Sequence, residues 1–72
     1  MEAVYSWAKG LIYQIMGMTQ VFEGSLNRAI RRLEEALQQL ILASRSIGEA
    51  ELEAKLEAVS KIKRHIVFTA SL

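Results

Sequence analysis

The sequence predicts an all-α protein: a helical hairpin of residues 1–72, a single helical domain whose copies assemble into a multi-chain helical bundle. Three observations lead to this fold class. Apolar residues recur at spacings of three and four along most of the chain, as they do on the buried face of a helix. The chain contains no proline, so no residue forbids a helix interior. One clear turn signal, at residues 45–48, divides the chain into a long and a shorter segment.

The first predicted element is a long helix over residues 3–44. Its apolar seam has coiled-coil heptad spacing, with Leu mostly at one position and Ala at the other from residue 29 onward. The seam passes Gly24 and Ser25 without a change of phase, which favours one continuous helix. Ser25 could instead be the N-cap of a separate helix, so a three-helix bundle broken at Gly24-Ser25 is the alternative. The seam consists of Ile12, Ile15, Thr19, Phe22, Leu26, Ala29, Leu33, Ala36, Leu40, Ala43 and Ile47.

A turn at residues 45–48 separates the two predicted helices. Ser46 and Glu49 have the spacing of a capping box, in which each side chain accepts a hydrogen bond from the other residue's main-chain amide. Gly48 could instead end the first helix in a left-handed conformation. Both interpretations predict a shorter, antiparallel helix over residues 48–68. Its apolar face consists of Leu52, Leu56, Val59, Ile62 and Ile66.

In this hairpin the N-terminal half of the long helix has no partner within the chain. At about 1.5 Å per residue the two helices would be about 63 Å and about 30 Å long, so the second covers only half of the first. The uncovered half is apolar on all sides, and its glycines, spaced seven residues apart, would form a smooth groove. Such a surface predicts an interface with another copy or with a helical partner. The predicted interface residues are Trp7, Gly10, Ile12, Tyr13, Ile15, Gly17, Phe22, Gly24 and Leu26.

Composition and charge argue against several classes of function. A formal net charge of +1 predicts no strong attraction to nucleic acid or acidic lipid. The chain has one histidine, no cysteine and no glycine-rich phosphate loop, so we expect no catalytic, cofactor or metal site and no enzyme activity. The longest uncharged run, residues 10–22, is shorter than the ~20 residues that span a membrane. No signal peptide is recognisable, and a cytoplasmic location is predicted.

The predicted function is a non-enzymatic interaction or assembly module that acts through its apolar N-terminal helix, as a homo-oligomer or as an adaptor or chaperone-like subunit. Nucleic acid is expected to be an unlikely partner, but a nucleic-acid-binding hairpin dimer is the alternative. In that dimer two basic groups would lie at one level of the hairpin and contact phosphates. Association with a membrane surface through the aromatic N-terminal segment is a second alternative. The candidate nucleic-acid contacts are Arg28, Arg31, Arg32, Lys61 and Arg64.

Overall fold

The computed structural model of the protein describes residues 2–72, and over those residues it contains three α-helices and no β-strand. The helices are α1 (Glu2–Thr19), α2 (Gly24–Ala43) and α3 (Glu49–Ser71). They pack side by side in a body with extents of 36 × 18 × 16 Å. The prediction of an all-α protein is confirmed.

The single long helix predicted over residues 3–44 is wrong, because the chain reverses direction at residues 20–23. Gly24, directly after this turn, has a φ of +69°, in the left-handed region that favours glycine. The reversal packs α1 along α2, so the apolar face of α1 is buried within the chain. The three-helix alternative, with its break placed at Gly24-Ser25, describes the observed order of elements.

The core lies between the three helices and takes one apolar stripe from each of them. In α2 this stripe differs from the predicted seam, because Ile30 and Leu37 are buried whereas Ala29 and Ala36 are exposed. The larger side chains remove more apolar area from water, so burial favours the observed face. The buried apolar side chains are Val4, Ala8, Leu11, Ile15, Ile30, Leu33, Leu37, Leu52, Leu56, Val59 and Ile66.

The third helix agrees closely with its predicted face. Four of the five predicted apolar residues are buried, and Ile62 is 50% exposed. The helix starts at Glu49 and continues to Ser71, three residues beyond its predicted end. Regular apolar spacing therefore predicted the buried side of this helix correctly, whereas its end had no sequence signal.

The turn between α2 and α3 covers residues 44–48, close to its predicted position. Gly48, rather than Ser46, is the N-cap of α3, and the structure shows no side-chain cap hydrogen bond at this position among residues 2–72. The predicted Ser46 cap is therefore wrong. The φ of Gly48 is −71°, so the left-handed ending is wrong as well.

A hydroxyl pair connects the start of α1 to the end of α2. The hydroxyl of Ser44, a residue 1% exposed, donates to the carbonyl oxygen of Ile41 at 2.7 Å. The hydroxyl of Tyr5 lies 2.8 Å from the same Ser44 oxygen. Because Ser44 has a single hydroxyl proton, Tyr5 is the donor of the second bond. This bond joins two helices that run antiparallel.

Candidate nucleic-acid interface

Three arginines lie next to each other in the N-terminal half of α2. Arg28, Arg31 and Arg32 are all exposed, and residues three and four apart are neighbours on a helix surface. Arg28 lines one recess together with Arg31 and another together with Arg32. The three side chains therefore form one continuous basic surface, which we call the arginine ridge.

Hydrogen bonds determine the position of Arg31 within this ridge. Its Nε donates to the Oδ1 of Asn27 at 2.7 Å. The side-chain nitrogen of Asn27 in turn donates to two carbonyl oxygens, that of Thr19 at 2.7 Å and that of Phe22 at 2.8 Å. Thr19 is the last residue of α1 and Phe22 lies in the α1–α2 turn, so Asn27 connects the guanidinium of Arg31 to the main chain at this turn.

The other two arginines of the ridge have side chains that no hydrogen bond orients within the described residues. Within residues 2–72, the side chains of Arg28 and Arg32 make no hydrogen bond or ion pair. Their guanidinium groups face solvent and have all five N–H donors available. The ridge therefore combines one oriented guanidinium with two that can adjust to a ligand.

The recess beside the α1–α2 turn carries a surplus of positive charge. It has a volume of about 480 Å³, and Arg28, Arg31 and Glu23 are among its lining residues. Two arginines and one glutamate give the turn recess one net positive charge. Glu34 and Glu35 follow the ridge on α2 and limit how far its positive potential extends along the helix.

The basic residues predicted on α3 do not line the two recesses of the arginine ridge. Lys61 and Arg64 are exposed, and Arg64 lines the groove between α1 and α3. In that groove the Nζ of Lys63 donates to the Oε1 of Gln14 at 2.6 Å, which links the two helices. The α1–α3 groove contains none of the three ridge arginines among its lining residues. The structure therefore brings the three arginines of α2 together and leaves the two residues of α3 outside their recesses.

The residues predicted as a protein interface are distributed around the bundle. Ile15 is completely buried in the core of the chain itself. Trp7 and Gly10 line the groove toward α3, whereas Ile12 and Tyr13 line a shallow recess toward α2. Their role in binding a partner stays a prediction. The remaining members of the set are Phe22 and Leu26, which are half-buried, and Gly17 and Gly24, which are exposed.

The predicted glycine groove does not receive another helix of this chain. A Cβ atom added at Gly10, Gly17 or Gly24 would meet no atom within 4 Å. Close helix packing within the chain therefore does not explain these glycines. At Gly24 the positive φ gives a different reason for the residue.

Asn27 was not predicted as part of any site. One signal was present, because an asparagine four residues before an arginine can reach it along a helix. The predicted continuous helix gave no reason to expect the bonds from the Asn27 side chain to the carbonyls of Thr19 and Phe22. In a continuous helix the carbonyls of Thr19 and Phe22 would bond to main-chain amides and would not need a side-chain donor.

Two kinds of site are absent from the part of the chain that the structure describes. No group of three or more His, Asp or Glu side chains among residues 2–72 could hold a metal ion. Over the same residues, no helix has both the length and the apolar character needed to cross a membrane.

Comparisons with known proteins agree on one family. The DSHCT (NUC185) domain family matches residues 1–69 of the chain. The DExH-box ATP-dependent RNA helicase DExH9 of Arabidopsis thaliana is 72% identical over 100% of the chain, which covers 8% of that protein. The exosome RNA helicase MTR4 of Homo sapiens is 54% identical over 100% of the chain, which covers 7% of that protein. Superkiller complex protein 2 of Homo sapiens is 42% identical over 99% of the chain, which covers 6% of that protein. No solved structure matches the chain.

These matches correct three expectations. The predicted free-standing assembly module, a homo-oligomer or adaptor with coiled-coil packing, is wrong, because the chain spans less than a tenth of each of these relatives. The prediction that nucleic acid is an unlikely partner is also wrong, because relatives over the whole chain are RNA helicases. The expectation of no enzyme activity is corrected in part. These relatives are RNA helicases and therefore enzymes, and the chain corresponds to a small part of each.

Proposed function

The chain belongs to the DSHCT (NUC185) domain family, and from this premise we propose that it is a helical, RNA-contacting domain of a larger ATP-dependent RNA helicase. Two observations support the proposal: the relatives that are named RNA helicases, and the exposed arginine ridge on α2. In this role the chain binds RNA, while ATP is hydrolysed elsewhere in the helicase. A cytoplasmic location stays a prediction.

The arginine ridge is the observation that carries the proposal. A helicase has to grip RNA of many sequences, and contacts to phosphates do not depend on sequence. Guanidinium groups suit this task because their planar N–H donors match the oxygens of a phosphate. Arg28, Arg31 and Arg32 would therefore bind the RNA backbone electrostatically.

The proposal predicts a large effect when the ridge is neutralised. Arg28, Arg31 and Arg32 are replaced together by Gln in the 72-residue chain, and binding to a fluorescein-labelled single-stranded oligouridylate is followed by fluorescence anisotropy. We expect affinity to fall at least about tenfold at low salt. Because a single strand contributes a slope of about 0.7 per neutralised phosphate, the slope of log affinity against log salt should fall by about two.

A matched variant removes the same charge from other parts of the surface. Lys9, Arg45 and Lys55 are exposed residues of α1, of the α2–α3 turn and of α3. Replacing these three residues by Gln lowers the net charge equally, so we expect a much smaller change of affinity and slope. Equal losses in the two triple variants would mean that net charge, and not the ridge, is responsible. Failure of the unmodified chain to bind RNA at low salt would refute the proposed function.

A further inference from the structure

We propose that the recess beside the α1–α2 turn binds one phosphate group of the RNA backbone, and that Asn27 is the positioning residue that orients Arg31 for this contact. The inference rests on the proposed function and goes beyond it by naming the site, the ligand group and the residue that prepares the site. It is carried by the chain of hydrogen bonds from Arg31 through Asn27 to the carbonyls of Thr19 and Phe22.

The bond from Arg31 to Asn27 leaves the phosphate-binding part of the guanidinium available. Only the Nε of Arg31 donates to Asn27, so both Nη groups keep their N–H donors. Arg31 also lines the recess beside the turn, as do Arg28 and Asn27. A phosphate in this recess would receive two N–H donors from Arg31 and a second positive charge from Arg28.

Orientation by Asn27 should increase affinity without adding charge. A free arginine side chain loses conformational freedom when it binds a ligand, and this loss weakens binding. Arg31 has already lost part of that freedom, because Asn27 connects it to the turn. From the usual size of this entropic term, we expect the bond to improve RNA affinity about two- to tenfold.

Glu23 should oppose the bound phosphate. Its carboxylate lines the same recess as Arg28 and Arg31, and like charges repel across a site of this size. The site as built therefore predicts that Glu23→Gln increases affinity for the oligouridylate. Glu35→Gln, which removes the same charge from an exposed position outside the recess, should have a smaller effect.

A double-mutant cycle tests the role of Asn27. Asn27→Leu removes the acceptor of the Arg31 bond at similar side-chain volume, and Arg31→Lys removes the Nε donor while keeping the charge. Each variant of the 72-residue chain should bind the oligouridylate about two- to tenfold more weakly, with an unchanged salt slope. The double variant should lose little more than Arg31→Lys alone, because that substitution already breaks the bond to Asn27.

Arg32→Lys is the matched control for this cycle. Arg32→Lys is the same chemical change, but Arg32 has no bond to Asn27. The loss of affinity from Arg32→Lys should therefore add to the loss from Asn27→Leu. Additive effects for Arg31→Lys as well would overturn the inference and leave the proposed function intact. No RNA binding by the unmodified chain would instead refute the proposed function, and the inference with it.

A measurement on the unmodified chain makes the test independent of variant folding. In NMR spectra the Nε–H proton of Arg31 should exchange with water more slowly than those of Arg28 and Arg32, because it alone donates to Asn27. Addition of oligouridylate should shift the Arg31 resonance and retain its slow exchange. Equal exchange rates for the three arginines without RNA would overturn the positioning role even if Asn27→Leu fails to fold.

Discussion

Ser44 is a buried polar residue whose hydroxyl is fully used. It donates to Ile41 and accepts from Tyr5, so burial leaves it with no unpaired proton. This arrangement matters because an unsatisfied buried hydroxyl destabilises a fold more than a satisfied one contributes. The pair also connects residues that are 39 positions apart in the sequence, which no local pattern indicates.

Loss of the Tyr5 hydroxyl should destabilise the fold modestly. We expect Tyr5→Phe to lower the free energy of unfolding by about 0.5–1.5 kcal/mol, since it removes one hydrogen bond and little apolar area. Tyr13→Phe is the matched control, because Tyr13 is 74% exposed. Urea titrations followed by circular dichroism measure both changes. Equal midpoints for the two variants would contradict the role assigned to the hydroxyl pair.

At the scale of the helices, the glycines of the chain have different roles. Gly24 has a positive φ and lies where the chain enters α2, whereas Gly17 lies inside α1 and is exposed. Neither position is crowded, because an added Cβ would meet no atom within 4 Å. Backbone conformation therefore decides the effect of a substitution at each residue.

Alanine should have opposite effects at these two glycines. Gly24→Ala should lower the free energy of unfolding by about 1–2 kcal/mol, since a Cβ is unfavourable at this φ. Gly17→Ala should raise it by about 0.5–1 kcal/mol, because alanine restricts the unfolded chain and favours helix. The thermal unfolding midpoints of the two variants measure the difference. A stabilising Gly24→Ala would show that α2 does not begin with a left-handed residue in solution.

At the scale of the whole molecule, burial separates leucines that look equivalent in the sequence. Leu37 and Leu42 both lie in α2, but Leu37 is completely buried and Leu42 is 81% exposed. Chains of this length have a small stability reserve, of roughly 3–5 kcal/mol. One large cavity in the core therefore removes a large part of this reserve.

Leu37→Ala and Leu42→Ala should differ strongly. We expect Leu37→Ala to lower the free energy of unfolding by about 2–5 kcal/mol, through lost burial and the cavity it leaves. Leu42→Ala should change it by less than about 0.5 kcal/mol. Urea titrations followed by circular dichroism should give a much lower midpoint for Leu37→Ala and a nearly unchanged midpoint for Leu42→Ala. Similar drops of the midpoint in both would mean that Leu42 is covered in the folded protein.

Periodic features of the sequence predicted much of the local structure. Apolar spacing indicated the helices and a five-residue face of α3, of which four residues are buried. The signals at Ser46, Gly48 and Glu49 indicated the position of the turn between α2 and α3. The same spacing misplaced the buried face of α2, where Ile30 and Leu37 replace Ala29 and Ala36. Two adjacent stripes satisfy the same periodicity on that helix, and the packing partner determines which of them is buried.

The helical class and the clustering of Arg28, Arg31 and Arg32 on α2 follow from the sequence alone, because both depend on residues three and four positions apart. The reversal at residues 20–23 depends on contacts between α1 and the other two helices, which are distant in the chain. Burial of the apolar face of α1 favours this reversal over a continuous helix. The same reversal brings Asn27 to the carbonyls of the turn, so the orientation of Arg31 is a property of the tertiary fold.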